Sequence, residues 1–363
     1  MTPSAVEIHE PGSPLRLSSS RNPAPARLAY LRPLVKGPLS SFVPNIGSRM
    51  GAVVLGGKLA PFVVNDRKEP CYLVDISSKI GGNLARHIGL SGKPGWRSAV
   101  ARGLAPLLEA TRFDRVVFLN HWLLSTNPTL RWSAAEIDSA MAALARRYPS
   151  HALVLKSAPP APSPAGTPLA TFTYKRNYCV PAASRKTRNI AADLALLRDT
   201  PLRVEEPHAL SDTEAARLAA LYDQLYLGKY SERSPRLSPA WLRLAVESAL
   251  FRCVVVRDKD QILGFSLQMI DGEQLISSYI GYDTSAPREA GVYRLLMLSG
   301  WLEARRLGLV FNMSGGGGEE GVSTFKRQRG AVLVPQPGAV YCAHLGWPRS
   351  RLYPPVFQSY YNT

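Results

Sequence analysis

Residues 251–283 read FRCVVVRDKDQILGFSLQMIDGEQLISSYIGYD, and this stretch decides the fold. It contains three runs rich in β-branched, aromatic and other apolar residues, a composition that favours strands. Lys259-Asp260 and Asp271-Gly272 separate the runs, and short segments with Asp or Gly favour tight turns. The spacing therefore predicts a three-strand antiparallel meander.

The elements on either side of the meander also have clear signals. A helix is predicted from Ser211, with Glu214 three residues later in a capping box, and a second helix begins near Pro239. After the meander, GVYRLLMLSGWLEARRLGL predicts an amphipathic helix that ends near Gly308. The strand LVFNMS, a short helix in GVSTFKRQRGA and the closing strands AVLVPQ and AVYCAHL follow. Helices and strands in this order predict a layered α/β fold.

The first part of the chain alternates strands and helices as well. GAVVLGG and LAPFVVND predict a hairpin, RVVFLNHWLL and HALVLKS predict strands, and GWRSAVARGLAPLLEAT and SAAEIDSAMAALARRYP predict helices. Five prolines in SAPPAPSPAGTP exclude a helix or a central strand there and indicate a linker. The predicted organisation is a poorly ordered N-terminus over 1–25, a first domain over 26–156, a Pro-rich linker over 157–168, a second domain over 169–335 and a C-terminal return segment over 336–363.

Composition limits the class of protein. The chain has 363 residues, of which 45% are hydrophobic, and it contains neither an apolar run long enough for a membrane span nor an apolar signal core. The four cysteines lie far apart without CxxC spacing, so we expect reduced thiols, no metal site and a cytoplasmic location. The net charge is +17, with most of the excess in residues 1–200. This distribution indicates either a polyanionic partner or a general compositional preference for Arg.

Several segments together resemble a known superfamily. SRKTRNIAADLALL from Ser184, LYDQLYLGKYS, GVYRLLMLSGWLEARRLGLVFNMS and STFKRQRGA resemble, in this order, segments of GNAT acyltransferases, most closely the Fem-type (FemAB-like) peptidyltransferases. The resemblance covers roughly residues 170–335. It implies two tandem GNAT-like domains with mixed, largely antiparallel sheets, and a return segment that folds back on the first domain.

One segment departs from the pattern of the CoA-using members. Those members carry a glycine-rich loop after the third meander strand, whose amides at a helix N-terminus hold the pyrophosphate. GYDTSAPREAGVYR occupies this place, with Gly291 alone and Asp283, Pro287 and Glu289 around it. The resemblance to the Fem-type branch, which lacks this loop, implies aminoacyl-tRNA as the donor, with acyl-CoA as the alternative and no permanently bound cofactor.

The glycine-rich stretch SGGGGEEGVSTFKRQRG at residues 314–330 is the strongest candidate for chemistry. It has no Gly-Lys-Ser/Thr ending, so it is not a P-loop. Lys326 is the predicted catalytic cation, because an ammonium directed at the tetrahedral oxyanion stabilises the transition state of acyl transfer. Glu319, its neighbour Glu320 or Asp283 is the candidate general base, which needs a raised pKa. The alternative is that the reactants are positioned without a dedicated base. A solvated loop with a solvated lysine is the alternative.

The remaining candidate residues fall into three groups. Predicted donor-binding residues are Tyr279, Tyr282, Gly291, Tyr293, Arg294 and Phe325. Predicted acceptor-binding residues are Asn120, His121, Asn312 and Ser314, although satisfied polar groups of the core are the alternative for Asn120 and His121. Predicted nucleic-acid contacts are Lys175, Arg176, Arg185, Lys186 and Arg188, interleaved with tyrosines.

The sequence therefore predicts an N-acyltransferase. It would move an aminoacyl group from aminoacyl-tRNA to an amine or hydroxylamine of a small molecule or peptide, by direct attack in a cleft between two domains. The alternatives are an acyl-CoA-dependent acyltransferase and a non-catalytic RNA-binding protein on the same scaffold. The acyl group, the acceptor and the oligomeric state stay open.

Overall fold

A computed structural model describes residues 6–16, 24–75, 114–157, 169–315, 320–347, 349–351 and 353–354. Glu319, residues 158–168 of the predicted linker and the helix predicted in GWRSAVARGLAPLLEAT lie outside these residues. The strands are β1 Glu7–His9, β2 Arg49–Leu55, β3 Lys58–Asn65, β4 Val116–Leu119, β5 Ala152–Lys156, β6 Leu169–Val180, β7 Arg203–Glu205, β8 Phe251–Asp258, β9 Gln261–Asp271, β10 Gln274–Tyr282, β11 Val310–Asn312 and β12 Val332–Tyr341. The α-helices are α1 Pro25–Lys36, α2 Ala134–Arg147, α3 Arg188–Asp199, α4 Asp212–Leu225, α5 Pro239–Glu247, α6 Val292–Arg306 and α7 Glu320–Arg327.

The twelve strands of the described residues belong to one sheet in the order β1-β2-β3-β4-β5-β12-β6-β11-β10-β9-β8-β7. Adjacent strands are antiparallel except for the pairs β4–β5 and β10–β11. The predicted mixed, largely antiparallel α/β fold is therefore confirmed. The strands of both predicted halves join in a single sheet, and the division into two tandem domains stays a prediction.

The meander and the helix caps follow the sequence closely. β8, β9 and β10 form the predicted antiparallel meander. Ser133 and Glu136 form the capping box that opens α2, and Ser211 and Glu214 form the one that opens α4. Local signals were sufficient here because each turn and each cap depends on neighbouring residues alone.

The last strand differs from the prediction. The sequence predicted two closing strands, whereas β12 is continuous and pairs with β6 along its length and with β5 over its second half. A register shift between Gln336 and Pro337 accommodates the prolines, which have no N–H for the ladder. β12 thereby joins the two halves of the chain.

The N-terminal segment also differs from the prediction of disorder over 1–25. Glu7–His9 form β1, which pairs antiparallel with β2 at the edge of the sheet. Glu10 then accepts hydrogen bonds from Arg147 and from the Tyr148 hydroxyl, the second at 2.6 Å. A polar segment is ordered here because an unpaired sheet edge and partners distant in sequence bind it.

The largest apolar cluster spans both halves and supports the site described below. Tyr30, Trp122 and Trp241 are each at most 1% exposed within it. The Tyr30 hydroxyl donates to the Trp122 carbonyl at 3.1 Å, and Trp241 Nε1 donates to the Tyr30 hydroxyl oxygen at 3.2 Å. The loop after β4 is therefore fixed against α1 and α5. Among the described helices, none combines the length and apolar character that a membrane span requires.

We expect Gly300→Ala to destabilise the fold. A Cβ at Gly300 in α6 would lie 2.5 Å from the Phe311 ring of β11, so the added methyl group must displace a buried aromatic side chain. Overpacking of this kind costs about 1–3 kcal/mol, against a gain of about 1 kcal/mol in helix propensity. Thermal unfolding should show a lower midpoint. Gly321→Ala is the matched control, because nothing lies within 4 Å of a Cβ there. A variant Gly300→Ala as stable as the control would contradict the proposed close packing.

Candidate active site

A cavity of about 690 Å³ lies where the parallel strands β10 and β11 separate. The two strands pair only from Gln274–Val310 to Ile276–Asn312. Beyond this point β11 gives way to residues 313–315, and β10 continues to Tyr282 along the cavity wall. α7, β6 and the π-helical turn Tyr226–Tyr230 complete the wall.

A β-bulge shapes the side of the cavity formed by β10. Ser277 pairs with Gln268 and Tyr279 with Leu267, so Ser278 is the extra residue between two ladder positions. A bulge bends the strand and redirects its side chains. As a result three successive residues, Ser277, Ser278 and Tyr279, all contribute to the cavity lining.

Lys326 extends from α7 into the cavity wall and is only 3% exposed. Its Nζ donates to the carbonyls of Met313 at 2.5 Å, Gly315 at 2.6 Å and Ser314 at 3.3 Å. Burial lowers the pKa of Lys326 from 10.5 to about 7, whereas the three carbonyls favour the ammonium form. Lys326 thus faces the cavity as predicted, but its three N–H groups hold the chain that follows β11.

Asp283 is unsuited to the predicted role of general base. Hydrogen bonds from Ser285, and then the Arg217 guanidinium at 2.9 Å, lower the pKa of this carboxyl to about 2. It closes the turn after β10 and is outside the lining of the cavity. A carboxylate so strongly stabilised in its charged form is a poor proton acceptor at neutral pH.

Four of the predicted donor-binding residues line the cavity, namely Tyr279, Tyr282, Tyr293 and Phe325. Tyr279 is 4% exposed and its hydroxyl donates to the Leu123 carbonyl at 2.5 Å, so this ring is part of the rigid wall. Tyr293 packs between Tyr282 and Phe325, with ring centroids 5.7 Å and 4.8 Å away. These rings give the cavity an aromatic side.

The other two predicted donor-binding residues have structural roles instead. Gly291 has φ 65° and begins α6, and a Cβ there would lie 2.4 Å from the Leu196 side chain of α3. Arg294 Nε lies 2.6 Å from Asp193, whose side chain is 1% exposed. Neither residue lines the cavity. The sequence does not reveal these contacts, because they arise from the long-range packing of α3 against the start of α6.

The Asp193 carboxylate also determines the position of a cavity residue. It accepts hydrogen bonds from Arg329 Nε at 2.7 Å and from the same guanidinium at 3.0 Å. The Arg329 guanidinium in turn lies 3.4 Å from the centroid of the Phe325 ring. A buried ion pair thus supports the aromatic wall from behind.

Two of the predicted acceptor-binding residues lie at the end of β11. Ser314 lines the cavity with φ 58°, and its hydroxyl donates to the Ser277 carbonyl at 2.6 Å. Asn312 is 2% exposed, accepts from the Ser314 amide at 2.9 Å and donates to Gln274 at 2.9 Å. Ser314 is therefore placed at the cavity, and Asn312 holds the backbone behind it.

Asn120 and His121, predicted as acceptor contacts, are buried residues outside the lining of this cavity, and their polar groups bond within the chain. The Asn120 amide donates to the Pro128 and Lys156 carbonyls and accepts from Trp122 Nε1 at 2.8 Å. His121 is fully buried, with Nδ1 accepting from the Leu123 amide at 3.0 Å and Nε2 donating to a carbonyl at 2.9 Å. The two side chains instead shape the loop after β4.

The predicted basic cluster divides into two parts. Lys175 lines the cavity, and its Nζ donates to the hydroxyls of Thr126 at 2.8 Å and Ser125 at 3.1 Å. The other members are on the exposed surface and are Arg176, Arg185, Lys186 and Arg188.

Sequence reasoning missed several residues of the cavity. Tyr226 and Tyr230 line it from the turn after α4, and Tyr222 stacks on Tyr226 with centroids 4.5 Å apart. Their four-residue spacing in LYDQLYLGKY was a usable signal for one helix face. Ser125 had no such signal, because only the fold of the loop after β4 brings it to the cavity.

We expect Lys326 to give the protein a distinctive pH dependence of stability. Between about pH 7 and about pH 10 the folded chain has released a proton that the unfolded chain keeps, so stability rises with pH across this window. In urea unfolding at several pH values, the free energy of unfolding of the wild type should increase relative to that of Lys326→Met as the pH rises. Lys36→Met, at an exposed position of α1, is the control, and its difference in unfolding free energy from the wild type should not change with pH. A difference between wild type and Lys326→Met that also stays constant with pH would contradict the lowered pKa of Lys326.

We expect Asp193→Asn to destabilise the protein by about 3–5 kcal/mol, because it leaves two buried or half-buried guanidinium groups without their carboxylate. Chemical unfolding measures this loss. Asp199→Asn is the control, because its partner Arg198 and Asp199 itself are both exposed on the same helix. Equal stability of the two variants would show that the Asp193 ion pairs are not important for the fold.

Comparison with known proteins gives a consistent result. Residues 184–327 match the family model described as an acetyltransferase (GNAT) domain. No curated protein matches the chain. Solved structures with similarity include FemX, at 10% identity, TM-score 0.42 and coverage of 85% of this chain and 90% of that chain.

Two further solved structures are similar to part of the chain. L-PGS from Bacillus licheniformis has 15% identity and a TM-score of 0.43, covering 63% of this chain and 78% of that chain. The C-terminal domain of a putative lysylphosphatidylglycerol synthetase from Agrobacterium fabrum has 13% identity and a TM-score of 0.42, covering 60% and 75%. Similarity at this level carries no argument about ligands. The family match includes β8 to β11, α6 and Lys326, and thus part of the cavity wall just described. Residues 184–327 therefore form a GNAT-type acetyltransferase domain, and the protein is an acyltransferase.

Proposed function

We propose that this protein transfers an aminoacyl group from aminoacyl-tRNA to an amine or hydroxylamine of a small molecule or peptide. The observation that carries the proposal is the cavity of about 690 Å³ at the separation of β10 and β11 within the GNAT domain. The bulge at Ser278 and the buried Lys326 ammonium meet there. An acyl carbonyl placed between them would be near donors that can stabilise negative charge.

The reaction needs no covalent enzyme intermediate. A neutral amine attacks the ester carbonyl, and a C–N bond forms as the carbonyl oxygen becomes an oxyanion. The intermediate then collapses, the C–O bond of the ester breaks, and the ribose hydroxyl leaves with the proton that the amine gives up. The protein has to position the two reactants and stabilise the oxyanion.

Lys326 is positioned for this role through its weakest hydrogen bond. The contact with the Ser314 carbonyl is 3.3 Å, against 2.5 Å and 2.6 Å for the Met313 and Gly315 carbonyls. An N–H redirected from Ser314 to the oxyanion would exchange a poor acceptor for a charged one. The other two hydrogen bonds would keep the ammonium fixed.

The start of α6 supports tRNA over acyl-CoA as the donor. Leu196 packs against Gly291, Arg294 is held by Asp193, and Asp283 adds negative charge after β10. These contacts occupy the place where a glycine-rich loop would hold a pyrophosphate.

Exposed cations near α7 favour a polyanionic donor. Arg185, Lys186 and Arg188 are exposed around the start of α3, and Asn189 donates to the Gln328 carbonyl just beyond α7. The cationic surface therefore borders the helix that carries Lys326. Such a surface suits the phosphates of an RNA strand whose end enters the cavity.

The proposal is tested by incubating the protein with charged tRNA or with acetyl-CoA and following deacylation that depends on an added amine. We expect deacylation of charged tRNA, reduced about 10²–10³-fold in Lys326→Met, since removal of one oxyanion donor typically costs this much. Lys36→Met is the control and should retain wild-type activity. Turnover of acetyl-CoA alone would overturn the tRNA donor. Salt-sensitive RNA binding without turnover of either donor would indicate the non-catalytic RNA-binding alternative.

A further inference from the structure

The cavity at the separation of β10 and β11 borders an apolar cluster of the core. Four aliphatic or thioether residues line it and are each at most 9% exposed, namely Leu225, Ile280, Met297 and Met313. They come from α4, β10, α6 and the segment after β11, and all four belong to one cluster of buried apolar residues. We call these four residues the apolar patch. Because protein cores are normally packed to high density, a cavity bordered by core residues suits a ligand group that completes the packing.

Aromatic rings enlarge the apolar surface next to this patch. Tyr226, Tyr230, Tyr282, Tyr293 and Phe325 line the cavity and pack, partly buried, against the same cluster. Neighbouring rings contact each other, with centroids 5.6 Å apart for Tyr226–Tyr230 and 4.8 Å apart for Tyr293–Phe325. Rings that pack on each other present flat apolar faces, which suit an aromatic or a branched aliphatic group.

The apolar patch begins at the position proposed for the reacting carbonyl. Met313 belongs to the patch, and its backbone carbonyl accepts from Lys326 Nζ at 2.5 Å. Phe325 precedes Lys326 in α7 and lines the same cavity. The side chain of an aminoacyl group branches from the carbon next to its carbonyl. A carbonyl bound at Lys326 would therefore have this side chain within reach of Met313 and Phe325.

We infer that the cavity selects an acyl group with a large apolar side chain, such as phenylalanyl or leucyl, and that Met297 is a specificity-determining residue. The inference rests on the proposed function, because it places the acyl carbonyl at Lys326. Met297 belongs to α6, whereas Lys326 is on α7, so Met297 can contact the acyl side chain without holding the carbonyl. Its flexible thioether side chain adapts to groups of different shape.

The hydrophobic effect gives this selection its direction. Burial of a large apolar side chain against the apolar patch is favourable roughly in proportion to the area that it removes from water. A methyl side chain would leave most of the patch uncovered. A basic side chain would bring a second ammonium into an apolar environment beside Lys326, which is costly.

Binding of unreactive aminoacyl nucleosides, measured by calorimetry, tests the inference. In these compounds an amide replaces the ester between the amino acid and the ribose of adenosine, and the amino acid is phenylalanine, leucine, alanine or lysine. Only the acyl group varies, so differences in affinity report on its side chain. We expect the phenylalanine and leucine compounds to bind about ten- to a hundredfold more tightly than the alanine and lysine compounds.

Variants decide whether the apolar patch is responsible. Met297→Ala should reduce the ratio of phenylalanine to alanine affinity by about three- to tenfold, because it removes apolar contact surface that only the larger side chain reaches. Met297→Leu should retain the ratio. Met269→Ala is the matched control, because Met269 is fully buried in another apolar cluster and is outside the lining of the cavity. If Met297→Ala does not fold, Ile280→Val takes its place and should reduce the ratio by about two- to fourfold.

The inference is overturned if none of the four compounds binds, or if the alanine or lysine compound binds as tightly as the other two. Equal affinities would indicate that the aromatic rings receive the nucleoside and not the acyl group. A ratio that is unchanged in Met297→Ala, or reduced equally in Met269→Ala, would also overturn the role of Met297. Because these compounds do not react, a failure of tRNA deacylation would leave this result readable.

Discussion

The hydrogen bonds from Lys326 Nζ to the carbonyls of residues 313–315 are the central interaction of the site. β11 pairs with β10 for three residues only, so its continuation has no parallel partner along the cavity. The ammonium replaces that partner by binding three successive carbonyls. A single buried cation thereby holds the segment that follows β11 at the wall of the cavity.

Contacts elsewhere in the fold support the arrangement of β10 and β11 at the cavity. β12 lies between β5 and β6, so the sheet continues from one half of the chain to the other. The loop after β4 reaches across to Tyr279 through the Leu123 carbonyl, and Ser125 of the same loop contacts Lys175. The cavity is therefore built from both halves, although the family match covers only residues 184–327.

Local signals predicted most of the fold but only part of the site. The meander and the capping boxes at Ser133 and Ser211 depend on residues close in sequence, and they were correct. Lys326 could be placed at the cavity because the order of elements around it is typical of the superfamily. The structure places Arg294 and His121 outside the lining of the cavity, because tertiary packing brings them their partners, Asp193 and the loop after β4. The identity of a polar residue does not reveal whether its side chain faces a ligand or a buried partner within the chain.

Under the proposed function, a cation in the cavity wall would also act on the attacking amine. A Lys326 ammonium near the reacting carbonyl would disfavour a second ammonium ion and lower the pKa of an amine that binds beside it. The α-amino group of a peptide has a pKa near 8 in water, so a modest shift would leave it neutral at pH 7. The positive charge that stabilises the oxyanion would then also keep the nucleophile deprotonated. One electrostatic feature of the cavity would serve both requirements of direct acyl transfer.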